Sequence, residues 1–526
     1  MAIMDMAMAE KGKFVLALIA TVPLQQALAQ GEVTYNVRVE EVYSDNVGLS
    51  TIDKEDSFVT KAEVGINQSF DSAMLTGNLK ADYTHLLYSH DSDANDGYES
   101  LDANVDITPW KKGPSLLLEG RIANVPRSTG ADYYSDLISG DTVRTTDYSA
   151  TLSQTLANSA YILTGEVEYN DQGAEDDIGI SNGYRGNVSF RNNSGEHHIF
   201  WDVRGSYSDR EFEQNTARSY QVQAQLGWIT GWDINPFIRY FDESFTGSVS
   251  NNQLNQGESW GAGIRWQPVD LMYLDVSYNF AKEDELSDDY VAATLNWQPT
   301  KRTSVYADYN QRFFGDSYNV QITHENKRLT NTISYEEELR AFERDSFETI
   351  IVDNLFCPIG EPIDINNCSS DIGSQDPADF VELPIFGVVP VEDNQFSLYR
   401  SLEWKSQYKT VRGSIGFDIS SNEREDLNTG DIQEYGTVNL SYNHELNERA
   451  NVDFTWRFTR NEFTTDNNDI EIERRDYYRQ YSVAYNQRLG RTLSFRTDIR
   501  YLQRDSNIGL REYEETRATI SINKNF

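Results

Sequence analysis

The feature that most constrains this chain is an alternation of period two, repeated from end to end. Leu75, Gly77, Leu79, Ala81 and Tyr83 interleave with Thr76, Asn78, Lys80 and Asp82. Tyr220, Val222, Ala224, Leu226 and Trp228 interleave with Gln221, Gln223, Gln225 and Gly227. Val452, Phe454, Trp456 and Phe458 interleave with Asp453, Thr455 and Arg457. Successive side chains of a strand point to opposite faces, so each segment has one apolar and one polar side. A helix would repeat its apolar residues every three or four positions. Segments of about ten residues suit a strand crossing a bilayer at a tilt. No stretch offers 18 consecutive apolar residues and mean hydropathy is −0.61, which excludes helical spans.

Composition agrees with a wall that is wet on one side. Hydrophobic residues are only 38%, yet aromatics reach 12%, and disordered chains lack aromatics. The connections alternate in length. Gln267–Asp270, Gln298–Arg302 and Arg488–Arg491 are short, whereas Arg127–Asp141, Asp242–Ser259 and Thr464–Asp476 are long and mostly acidic. Short periplasmic turns and long outer loops mark an outer-membrane barrel. We therefore expect an all-β, transmembrane, antiparallel up-and-down β-barrel of about 24 strands, with both termini periplasmic. Trp110, Trp266 and Trp297 sit beside short turns, where they suit a membrane-interface girdle or simple packing equally well.

Residues 1–29 resemble a secretory signal. Lys11 and Lys13 precede the apolar stretch Phe14–Pro23, and Ala27-Leu-Ala29 forms a cleavage site ahead of Gln30. Residues 30–526 are then the barrel, carrying a long insert at 341–394. Cys357 and Cys368 lie in that insert and read as a disulfide closing a small loop of an exported protein; the alternative is two unpaired thiols. The last segment, with Ala518, Ile520 and Ile522 on one face, stops at Phe526 and resembles the terminal strand read by the barrel-assembly machinery, although Phe is common enough here for a chance ending.

Net charge is −39, which argues against nucleic acid as a partner because phosphate would be repelled. No P-loop, GxGxxG, HExxH or CxxC occurs, and the histidines (His85, His90, His197, His198, His324 and His444) are scattered. No catalytic, metal or cofactor site is expected, and the chain does not read as an enzyme. Acidic loops such as Asp91–Asp96 are more simply solvated than calcium-binding, since none has the EF-hand spacing. The polar faces of late strands carry Arg412, Asp418, Asp453, Arg457, Arg496, Asp498 and Arg500, which we expect to line the lumen. Such charges set a transverse field or, more simply, pair along neighbouring strands and stiffen the wall.

Val39-Glu-Glu-Val-Tyr-Ser-Asp-Asn-Val-Gly-Leu49, Arg312-Phe-Phe-Gly-Asp-Ser-Tyr318 and Ile333-Ser-Tyr-Glu-Glu337 resemble segments of PEP-CTERM system-associated outer-membrane proteins. The cysteine-containing insert departs from that pattern. The resemblance implies a barrel channel encoded near exosortase and exopolysaccharide functions, with polysaccharide or periplasmic export components as partners. It supplies no catalytic residues. The surrounding partners would be outer-membrane lipid and lipopolysaccharide. A diffusion porin and a non-transporting surface adhesin or matrix anchor are the competing readings. About 24 strands would enclose a lumen wider than wall side chains fill, and the 341–394 insert is the expected plug or lid.

Overall fold

In the computed structural model, the described residues are 31–51, 54–127, 132–193, 198–212, 216–246, 256–282, 288–340, 347–358, 380–390, 397–427, 430, 432–467, 470–507 and 511–526. The first strands are β1 (Glu32–Ser44), β2 (Ser57–Asp71), β3 (Leu75–Tyr88), β4 (Asp96–Ile107), β5 (Ser115–Pro126), β6 (Thr142–Ala157), β7 (Tyr161–Ala174) and β8 (Ser181–Asn192). Then come β9 (Ile199–Phe212), β10 (Thr216–Trp228), β11 (Ile234–Thr246), β12 (Gln256–Val269), β13 (Met272–Ala281), β14 (Tyr290–Thr300), β15 (Thr303–Arg312), β16 (Gly315–Glu325) and β17 (Leu329–Arg340). A hairpin, β18 (Phe347–Pro358) and β19 (Phe380–Pro390), precedes β20 (Ser397–Lys409), β21 (Gly413–Asp426), β22 (Ile432–Asn447), β23 (Ala450–Asn467), β24 (Ile470–Arg488), β25 (Leu493–Ser506) and β26 (Tyr513–Asn525).

Twenty-four of these strands form one sheet of sequential antiparallel neighbours, with β17 paired to β20. The sheet closes on itself where β1 meets β26, Val39 facing Ile522. Closure removes the exposed edges that an open sheet would present, so the backbone groups of the paired ladders need no water. Among the described residues the β18–β19 hairpin pairs only with itself, as a separate two-stranded sheet. Cys357 falls near the end of β18, while Cys368 and the cleavage site Ala29-Gln30 lie outside the described residues. The chain ends at the rim of short turns, where Phe526 N–H donates to the Tyr35 carbonyl (2.8 Å) beside the start of β1.

The two faces separate as the alternation predicts. Trp260, Ile264 and Trp266 of β12, Val276, Tyr278 and Phe280 of β13, and Ile520 and Ile522 of β26 are exposed. On β26 the same face carries Glu514 and Lys524 at its ends, framing an apolar centre. A basic side chain at a bilayer midplane costs about 2–4 kcal/mol, so this face suits hydrocarbon and its charges stay at the margins. Trp110, Trp266 and Trp297 are exposed near the turn rim.

Two features depart from the expected lengths. Many strands overrun a bilayer crossing: β23 has 18 residues and β24 has 19. Ladder hydrogen bonds continue past the hydrocarbon, so acidic residues at the start of a segment read as a loop, such as Asp242 and Glu243, are strand. The β15–β16 connection at the opposite, long-loop rim is only Phe313-Phe314, an exception to the short–long alternation. It folds inward: Phe313 packs on Phe245 at 4.9 Å, and its N–H donates to Glu243 (3.1 Å).

Candidate functional site: a loop folded into the lumen

The described part of the β5–β6 connection, 132–141, does not stand out from the rim. Asp132-Tyr-Tyr-Ser-Asp-Leu-Ile-Ser-Gly-Asp141 lies along the polar face of strands running from β22 round to β3. That face is the concave one. Leu427, from the β21–β22 connection, and Ile178, from the β7–β8 connection, both pack on Phe212, Ala217 and Phe245 of β9–β11. The Leu427 contact joins distant parts of the ring and requires a path through the interior.

The segment is shaped locally by its own aspartates. Asp132 Oδ1 accepts the Tyr134 N–H (2.8 Å). Asp136 Oδ1 accepts the N–H groups of Ile138 and Ser139, each at 2.9 Å. Short polar side chains that bond backbone two or three residues on make such turns in place of ladder bonds. Gly140 has φ +98°, and a Cβ there would fall 2.4 Å from Ser135 Oγ, so glycine is required.

Three kinds of contact then hold it to the wall. Leu137 and Ile138 pack against Val42, Val47, Val59 and Leu86 of the β1–β3 region. The Tyr88 hydroxyl contacts the carbonyl oxygens of both, at 3.1 and 3.0 Å. Asp136 Oδ2 meets Arg517 Nη1 at 2.7 Å and Arg500 Nη2 at 3.6 Å. Ser139 Oγ accepts from Arg517 (2.6 Å) and donates to Glu515 (3.2 Å), which also accepts from Ser44 (2.7 Å). Asp132 accepts from the Tyr513 hydroxyl (3.0 Å) and faces Arg504 at 3.5 Å. Aromatic contacts complete the docking: Tyr133 packs on Tyr435 (5.1 Å) and Tyr134 on Tyr478 (5.3 Å). The Tyr134 hydroxyl lies 3.4 Å from Thr459 Oγ1.

The two loop aspartates sit in different electrostatic surroundings. Burial pushes both carboxyls up. At Asp136 the guanidiniums of Arg517 and Arg500 outweigh burial and hold it below the usual carboxylate range. At Asp132 burial outweighs Arg504, and the carboxyl stays above that range.

The residues expected to line the lumen fall into three groups. Arg412 lies in the turn between β20 and β21, where its N–H bonds Thr410 (3.3 Å), and not on a strand face; the strand begins one residue later, at Gly413. Asp418, Asp453, Arg496 and Asp498 are engaged within the wall. Asp418 accepts from Asn439 (3.2 Å); Asp453 accepts from Asn443 (2.5 Å) and Asn486 (2.6 Å). Arg496 reaches Asp498 (3.3 Å) and donates to Asn486 (3.0 Å). Arg457 and Arg500 meet the inward loop, Arg457 beside Tyr134 and Arg500 at Asp136. Below the loop, toward the turn rim, a cavity of about 770 Å³ is lined by polar groups including Arg38, Glu40, Asn443, Asn486, Arg496 and Asn523.

Sequence reasoning missed the loop and its partners Arg504, Glu515 and Arg517. A usable signal was present, since Tyr133, Tyr134, Leu137 and Ile138 are needless in a segment surrounded by water. The segment found against the lumen wall is this one; of the 341–394 insert, expected to be a plug or lid, the described residues are those of the β18–β19 hairpin, and the rest lies outside them.

No family model and no curated protein match the chain. Among solved structures it is similar to the siderophore receptor PirA from Acinetobacter baumannii, at 9% identity over 94% of this chain and 80% of that one, with a TM-score of 0.42. It is similar to the FrpB iron transporter from Neisseria meningitidis (F3-3 variant), at 11% identity over 95% and 83%, with a TM-score of 0.41. It is also similar to a loop-L8 deletion mutant of OmpT, an outer membrane protein of Vibrio cholerae, at 8% identity over 94% and 99%, with a TM-score of 0.32. Identities and scores this low carry no function across.

Proposed function

We propose that this chain is an outer-membrane channel whose lumen is narrowed by the Asp132–Asp141 loop. The observation that carries the reading is that loop, docked through three kinds of contact on the inner face of a closed barrel. A wall apolar outside and polar inside conducts hydrophilic solutes, and an inward loop sets what passes. In this reading the short turns are periplasmic and the long loops face outward.

Two cargo classes fit. The ion-paired loop favours small hydrophilic solutes, as in a diffusion porin. The resemblance to PEP-CTERM system-associated proteins favours service to exopolysaccharide and surface-matrix export, with the insert around β18–β19 facing the partner. The purified chain in a planar lipid bilayer should give discrete conductance steps. Replacing residues 132–139 by a short Gly-Ser turn should enlarge them. Silent membranes with both proteins would reject the channel. Normal polysaccharide secretion in a deletion strain would reject the export role alone.

A further inference from the structure

The inner wall beneath the loop has an arrangement that the loop alone does not explain. Arg500 and Arg517, on adjacent strands β25 and β26, converge on one wall carboxylate, Glu515, at 3.0 and 2.8 Å. Glu515 is 1% exposed and spends its remaining capacity on Ser44 and Ser139. Two guanidiniums thus share one carboxylate of the wall, and the second carboxylate, Asp136, comes from the loop. The pattern recurs one step toward the rim. Arg474 and Arg504 both meet Asp476 Oδ2 at 2.9 Å, and Asp132 of the loop stands 3.5 Å from Arg504. At both places the loop brings a carboxyl group to an arginine that already meets a wall carboxylate.

We propose that the position of the Asp136 carboxylate is an anion-binding site of the lumen wall, made by Arg500 and Arg517, and that solutes bearing carboxylate or phosphate groups compete with the loop for it. This rests on the channel reading. An arginine pair presents planar forked donors that fit either anion by charge-assisted hydrogen bonds. The remaining bonds of the Asp136 turn run through Oδ1, so the loop can lose its Oδ2 contacts without losing its shape. A bound anion would break the Asp136 contacts with β25 and β26 and loosen the middle of the loop, while the Asp132–Tyr513 bond, the tyrosine packing and the apolar contact of Leu137 and Ile138 keep it tethered. The solute itself would then widen the constriction.

The test uses the full chain in planar bilayers in potassium chloride, with inorganic phosphate or acetate added at constant ionic strength. Wild-type conductance should rise about twofold or more with the anion that fits. A response to phosphate alone would assign the site to phosphate groups, and one to acetate alone to carboxylates. Asp136→Asn keeps the Oδ1 turn and removes the charge. It should conduct at the raised level without added anion, shift ion preference toward anions and no longer respond. Asp136→Glu should restore the response in part. Heat-modifiable gel mobility, equal among the three proteins, shows that each barrel is closed. A wild type indifferent to both anions, with an Asn variant of unchanged conductance and ion preference, would overturn the proposal while leaving the channel standing. No conductance from wild type or from the loop-replaced chain would remove both.

Discussion

The barrel fills its inside in two different ways. From β9 to β15 the wall thickens mainly with its own side chains, with Leu427 and Ile178 of two connections resting on the cluster at its long-loop end. Phe200 and Phe237 lie over the glycines of neighbouring strands, where a Cβ at Gly227 would stand 2.2 Å from the Phe200 ring and one at Gly263 2.5 Å from Phe237. Arg265 pairs with Asp275 at 2.7 Å and sits 3.9 Å from the Phe200 ring centroid. Arg239, nearly fully buried, is held by Asn279, Tyr290 and Asn310. From β22 round to β3 the filling is borrowed, in the form of the Asp132–Asp141 loop. A lining made by strand residues moves only if the wall moves. A lining lent by a loop can leave, so the second half is where a channel of this kind would be regulated.

That contrast should fail first, if it is wrong, at Glu243. Fully buried on β11, it accepts from Arg312 at 2.8 Å and from the Phe313 N–H, locking the inward β15–β16 turn. Glu243→Ala leaves a buried guanidinium without its carboxylate and should cost about 3–5 kcal/mol of folding stability. Urea-driven unfolding from lipid vesicles measures this. A loss below that of a surface substitution would mean the β9–β15 lining is not integral to the wall. Gly263→Val comes next. The new Cβ would meet both Phe237 Cζ and the Val276 carbonyl at 2.5 Å, and the backbone carbonyl cannot step aside. A cost of about 1–3 kcal/mol is expected, read the same way. Conductance should change little in whatever fraction folds, because this sector does not carry the movable constriction.

Asp136→Asn should show the reverse pattern, with small change in unfolding and a clear rise in conductance. Its pH dependence has a defined sign. A carboxyl held below its ordinary range contributes docking that is complete above that range and is lost as pH falls through the lowered value. Wild type should therefore keep the loop's Asp136 contact through mildly acidic conditions and open only in stronger acid. An opening transition at ordinary carboxylate pH would show that Arg500 and Arg517 do not hold Asp136 as drawn.

How legible this was from sequence depends on the range of the contact. The alternation at Leu75–Tyr83 or Val452–Phe458 is local, and closing the sheet makes every such segment two-sided in the same sense. Strand identity, face and approximate number followed from that rule. Strand ends did not, because Glu423 or Asp171 looks the same in water whether or not its backbone is paired. Arg500 could be assigned to the polar face, but its partner Asp136 lies over 360 positions away in sequence, and periodicity carries no information about such pairs. Tyr133, Tyr134, Leu137 and Ile138 did carry information. Apolar bulk within an acidic connection needs cover, and here the lumen wall supplies it.

The smallest expected effect separates the two loop aspartates from each other. Asp132 is buried against Arg504 and the Tyr513 hydroxyl, with Asp476 and Tyr478 close by on β24 and the Tyr134 N–H on its own loop. Its carboxyl stands above the ordinary range because burial disfavours the charged form more than Arg504 favours it. A group raised in this way contributes docking that is complete below its ordinary pKa and is lost as pH rises through the raised value. At neutral pH Asp132 therefore weakens the hold that Asp136 provides. Asp132→Asn keeps an acceptor for Tyr513 and drops the burdened charge, so conductance should stay within about a few tenths of wild type, on the lower side. Mild acid should lower wild-type conductance slightly before stronger acid raises it, and the Asn variant should lack that first dip. Were Asp132→Asn to open the channel as far as Asp136→Asn, the two arginine pairs would be acting as one cradle, and the loop would be held by total charge and not by the placement of each carboxylate.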